Sequence, residues 1–229
     1  MAMRKVAGVT FGMLMMALVA GQGAQAGPGR VAGTAASRTV AAPSKFADAT
    51  SQSFWHYAKQ LTPPFYQLTT WYVGVFAYIS HSGTDYYSDL YREVDLCRQT
   101  RHGDRCTVKS FAYGDSNLSK SGESYTVDSD ALTAAHVVAR YKLQRYDVNG
   151  NPIGSPVPHA VDATWKGRGE VQRNHSKYSY HQGCTHFTTT IKGKFRRATG
   201  TGTLDGRDLG STNDSFIATD AGLEVDHVC

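Results

Sequence analysis

The sequence predicts an all-β chain, an antiparallel β-sandwich or barrel with one short N-terminal helix and two disulfides. Three observations carry that expectation. Hydrophobicity alternates with period two along much of the chain, turn dipeptides separate the alternating runs, and an even number of cysteines follows an export signal.

The export signal comes first. Arg4 and Lys5 precede the apolar run Val6 to Ala20, and Ala24-Gln25-Ala26 supplies the small residues that a signal peptidase needs, so residues 1–26 read as a signal peptide. Fifteen apolar residues rise about 22 Å as a helix, short of the roughly 30 Å bilayer core. No later stretch is apolar enough to be a transmembrane segment, and the expected product is secreted and extracellular. Residues 27–45, rich in Ala, Gly, Thr and Ser, read as a flexible leader. Residues 46–229 are then a single all-β domain. The chain is 41% hydrophobic and 19% charged, a balance that can fill a core and is unlike that of a disordered chain.

Within the domain, Phe54, Trp55, Ala58 and Leu61 recur at helical spacing and Pro63-Pro64 ends the run, which predicts the one helix. Every later element reads as strand. Trp71 to Ile79 is apolar on both sides and central, with Gly74 permitting a bulge or close packing. Leu90, Val94 and Leu96 alternate into Cys97, with Cys106 to Tyr113 as partner strand. Val137, Ala139, Tyr141 and Leu143 alternate with His136, Arg140, Lys142 and Gln144, and Val157, Val161, Ala163 and Trp165 repeat the rhythm. Phe187, Ile191 and Phe195 stand against Thr188, Thr190, Lys192, Lys194 and Arg196, which predicts that the cations occupy the wet face. Asn149-Gly150-Asn151-Pro152 and Leu204-Asp205-Gly206-Arg207 are hairpin turns. The total is roughly eight to ten strands.

The cysteines Cys97, Cys106, Cys184 and Cys229 allow three connectivities. The short spacing between Cys97 and Cys106 favours a bridged hairpin, leaving Cys184 for Cys229.

No nucleophile elbow, zinc helix, phosphate loop or dinucleotide fingerprint stands in a credible context, and no cofactor is implied. Tyr87, Asp89, Tyr91, Glu93 and Asp95 form the main candidate ligand-binding group. Alternation presents Asp89, Tyr91, Glu93 and Asp95 together, and carboxylates beside aromatic rings suit sugars or, as a raised-pKa pair, glycoside hydrolysis. His175, His181 and His186 are weak metal candidates, because imidazoles on neighbouring strands can ligate zinc or copper. Residues 166–207 hold nine Lys or Arg against Glu170 and Asp205, a basic region that suits an anionic polymer. Without Arg4 and Lys5 the balance is 22 cations to 19 anions, too even for nucleic acid to be the expected partner.

The expected function is a non-catalytic extracellular or cell-envelope binding protein, its partner an extracellular glycan or anionic envelope polymer. One alternative is an extracellular hydrolase acting on glycans. Another is a secreted inhibitor or effector that presents the basic Cys97 to Cys106 loop, with Arg98, Arg101, His102 and Arg105.

Overall fold

Alternation becomes strand throughout the residues that the computed structural model describes, 39–40, 44–80, 83–118, 122–182 and 185–228. The expected signal peptide, nearly all of the leader, and Cys184 and Cys229 lie outside them. In chain order the strands are β1 (Thr39–Val40), β2 (Ser44–Gln60), β3 (Phe65–Ser80), β4 (Gly83–Thr100), β5 (Gly103–Asn117), β6 (Ser124–Val127), β7 (Ala134–Tyr146), β8 (Pro152–Gly167), β9 (Gln172–Gln182), β10 (Thr185–Leu204) and β11 (Arg207–Val228). All pairings are antiparallel. From β2 the order runs β3, β4, β5, β7, β8, β10, and β10 also pairs with β11, which returns to β2. The sheet therefore closes on itself as an eight-stranded barrel, the size whose interior side chains fill or nearly fill. β1 hangs on β11, β6 on β7 and β9 on β10.

No helix occurs among the described residues, and the helix expected over 51–61 is replaced by the second half of β2. The reason lies in what the strand buries. Ala49, Ser51, Ser53 and Trp55 point inward, so two inward positions are polar while Phe54 faces out, and the apolar residues alone mimic a helical period. The serines tolerate burial because each has a partner: Ser51 Oγ lies 2.8 Å from Tyr125 Oη, and Ser53 Oγ 2.7 Å from Ser215 Oγ.

The remaining inward positions follow the alternation. Val73, Val75 and Ala77 on β3, Ala135 to Leu143 at every second position on β7, and Val161, Ala163 and Trp165 on β8 are buried. Gly200 sits among them by necessity, because a Cβ there would stand 2.1 Å from Ser53 Oγ. Both predicted turns close hairpins. Asp205 and Gly206 carry positive φ between Leu204 and Arg207, which pair directly. Cys97 and Cys106 are register partners joined by a disulfide.

One strand changes neighbours midway. Residues 198–204 of β10 pair with β8, whereas residues 185–195 pair with β9. Below the changeover β8 has ended, so the barrel wall opens between the β9–β10 hairpin and β6.

Candidate functional site

That opening leads into a cavity of about 990 Å³ at one end of the barrel. Ala47 and Ala49 of β2, Ala77 of β3, Tyr86 of β4, and Tyr125 and Val127 of β6 form an apolar floor. The Tyr86 and Tyr125 rings meet edge to face at 6.2 Å. Burial raises the Tyr125 hydroxyl to about 12, so with its bond to Ser51 it is a neutral hydrogen-bonding group at any physiological pH. Thr219 and Ala221 of β11 complete this side.

The opposite wall is cationic. Arg173 and His175 of β9 and Lys192 and Lys194 of β10 border the cavity, with Arg173 directly opposite Lys194 and His175 directly opposite Lys192. The sequence places Lys192, Lys194 and Arg196 on a wet outer face, and the structure reverses this. Even positions of β10 share the face of buried Ala198 and Gly200, while Phe195 is on the outside against Phe216, 5.2 Å between ring centres. The reversal arises because β10 is longer than the barrel is deep: its far half lines an open mouth where inward charge remains wet.

Two of these cations have structural work. Lys194 Nζ donates to the carbonyls of Ser129 and Asp130 at 3.3 and 3.1 Å, and Arg196 donates to those of Gly169 and Ala131. They hold the turn after β6, whose Asp128 accepts from the Thr133 hydroxyl and from the backbone N–H groups of Ala131, Thr133 and Asp130, and is lowered to about 2, by the Thr133 hydroxyl first and then by those backbone bonds. Arg173, His175 and Lys192 have no hydrogen-bond or ion-pair partner among the described residues, and all three are exposed.

Acids also border the cavity but turn away from it. Asp48 and Asp220 are register partners, and each carboxyl is raised by burial, Asp48 further by Asp220. Strand parity puts them on the outer face. There the Asp220 and Asn174 side-chain oxygens stand within 2.4 Å of where a Cβ on Gly193 would be, so only glycine fits between them.

The candidate group on β4 is brought together on the outer wall. Tyr91 Oη donates to Glu93 Oε2 at 2.6 Å, and Tyr113 Oη to Asp89 Oδ1 at 2.9 Å. Tyr87 stands further along, 48% exposed. Asp95 differs from its neighbours in being only 7% exposed. Desolvation first, then the adjoining Glu93 carboxylate, raise it to about 6. The sequence missed what joins this group: Phe111 and Tyr146. Tyr91, Phe111 and Tyr146 form a row of stacked rings across β4, β5 and β7, with centres 6.2 and 5.2 Å apart. Alternation within each strand marks these rings as outward, but only register aligns them.

Of the three histidines, His181 and His186 face each other across the β9–β10 hairpin with rings stacked at 4.5 Å. His175 lies six residues along the same strand, roughly 20 Å away at strand rise. The described residues contain no group of three metal-ligating side chains. The basic Cys97–Cys106 loop is an exposed hairpin tip, where Arg101 Nε donates to His102 Nε2 at 2.9 Å. No described helix is long and apolar enough to cross a membrane.

No protein-family model matches the chain, and neither a curated protein nor a solved structure resembles it significantly.

Proposed function

We propose that the protein is an exported, non-catalytic binding protein that takes a small ligand into the mouth of its barrel. The observation that carries this reading is the cavity of about 990 Å³, with an apolar floor and a polar wall. Cavities of roughly 300–1,000 Å³ in barrel mouths are typical small-ligand sites, mostly apolar with a few orienting polar groups. The paired strands that border it supply a rigid frame, so little ordering energy is spent on binding.

The test uses N-phenyl-1-naphthylamine, an uncharged probe that brightens in apolar surroundings. The wild-type protein is expected to enhance its emission saturably. Ala49→Phe, which fills the floor, should weaken binding at least tenfold while circular dichroism shows the fold retained. A wild-type protein that leaves the probe dark would overturn the reading.

The outer ring row favours a second reading, binding of an extracellular glycan. Aromatic faces spaced 5.2 and 6.2 Å apart beside Glu93 and Asp89 offer stacking surfaces and hydroxyl acceptors. Sedimentation with insoluble polysaccharides is the check: retention that Phe111→Ala abolishes supports this reading, and no retention removes it. The Glu93–Asp95 pair has the raised acid that glycoside hydrolysis requires, but it lies on the barrel's outer wall beside this row.

A further inference from the structure

We infer that the ligand of the barrel mouth is an amphiphile with a single anionic head group, carboxylate or phosphate, held by Arg173, His175 and Lys192 with its chain on the alanine and tyrosine floor. This rests on the small-ligand reading above and adds the chemistry of what is bound.

The empty protein has no use for the arrangement of its β9–β10 hairpin. Like charges placed directly opposite in an antiparallel pair repel and destabilise the sheet. The β9–β10 hairpin nevertheless sets the like charges Arg173 and Lys194 against each other and, one pair along on the same face, His175 against Lys192, so that three fixed cations and an imidazole gather there. Lys194 is partly neutralised, with Asp130 Oδ1 at 3.9 Å and two carbonyls accepting from its ammonium. Arg173, His175 and Lys192 gain nothing comparable, and the nearest acids of β2 and β11, Asp48 and Asp220, are turned to the other face. An edge strand can be protected by one lysine. A paired cluster aimed over a cavity goes beyond that need.

The floor then sets the rest of the ligand. Ala47, Ala49, Ala77 and Val127 offer no hydrogen bonds, and their small size leaves room rather than filling it. A compact inorganic anion would leave this surface bare, whereas an alkyl chain covers it and leaves water in doing so. A guanidinium and an ammonium across one hairpin suit the several oxygens of a carboxylate or phosphate, which accept charge-assisted bonds from both. Head and chain must be joined in one molecule, because the cations and the apolar floor border the same cavity.

Displacement of bound N-phenyl-1-naphthylamine separates these features. Dodecanoate and dodecyl phosphate are expected to displace it at concentrations at least tenfold below those of dodecanol or dodecyltrimethylammonium, with the difference shrinking as salt rises. Inorganic phosphate alone should displace nothing. The double variant Arg173→Gln, Lys192→Gln should lose the tenfold preference, each displacement being referred to the variant's own affinity for the neutral probe. Its unliganded melting temperature should not fall, because the change relieves repulsion. Phosphatidylglycerol vesicles test the source of the head group: extraction of lipid into the protein indicates a membrane-derived ligand, and competition by free acid only indicates a soluble one. Equal displacement by anionic and cationic amphiphiles, or an unchanged preference in the double variant, would overturn the inference while leaving the cavity reading intact. Failure of the neutral probe itself would strike that reading instead.

Discussion

Trp165→Ala is expected to cost about 3–5 kcal/mol, the range for deleting a large buried aromatic side chain. The indole is fully buried and lies in register between Ala135 of β7 and Gly200 of β10. Both neighbours are small, so no adjacent side chain in the row can swing in to fill the gap. The wall cannot collapse inward either, because β8 is hydrogen-bonded on both sides. The residual void therefore keeps most of its cost. Urea unfolding of variant and wild type measures the difference, and a loss below about 1 kcal/mol would show that the indole does not fill the layer it occupies. Val127, which borders the barrel-mouth cavity, pairs with Ala135 in the same row. The void would thus adjoin that cavity, and a small apolar molecule added to the variant should recover part of the stability.

Asp95→Asn is expected to stabilise the protein at pH 8 and to have almost no effect at pH 4. Asp95 titrates at about 6 in the folded chain against 3.8 for the unperturbed carboxyl. A raised folded value means that between these two pH values the native state holds a proton that the unfolded chain has released. Stability therefore falls as pH rises from 4 to 6 and stays lower above it. A shift of this size corresponds to about 3 kcal/mol, and screening at the more exposed Glu93 reduces it to about 2 kcal/mol. Asparagine keeps the shape, cannot ionise and can donate to the Glu93 carboxylate. Urea midpoints at pH 4 and pH 8 give the result: a variant whose stability falls across that interval as much as the wild type's would show that Asp95 is not the group responsible.

The legibility of the sequence depended on where polarity lay. The strands of residues 134–146 and 152–167 were readable because their buried faces are apolar and their outer faces polar. β2 was not, because Ser51 and Ser53 occupy inward positions and Phe54 an outward one, so that hydropathy misreports the face. Local spacing was enough for the Cys97–Cys106 hairpin and the Asp205-Gly206 turn, since both ends of each are neighbours in the chain. The site was visible only in pieces. The basic region around Lys192 and the acid–aromatic group on β4 both stand out, but the floor comes from β2, β3, β4, β6 and β11. That floor is set by long-range register, to which residues such as Ala47 and Ala77 contribute no distinctive chemistry. The inward direction of Lys192 and Lys194 was hidden for a related reason: an overlong strand can carry charge on its core-side face once it passes the end of the core.

The closure of the barrel also dictates an order of assembly. Ser53 and Ser215, bonded across the β2–β11 seam, are separated by 162 residues in the chain. Each hairpin from β2 onward can form as soon as its two strands exist, but β2 keeps a bare edge until β11 arrives. Until then the nascent molecule is an open sheet with unsatisfied amide and carbonyl rows, a template on which another copy can pair. So distant a junction carries the largest loop-closure cost of the barrel, which places this seam among the last to form.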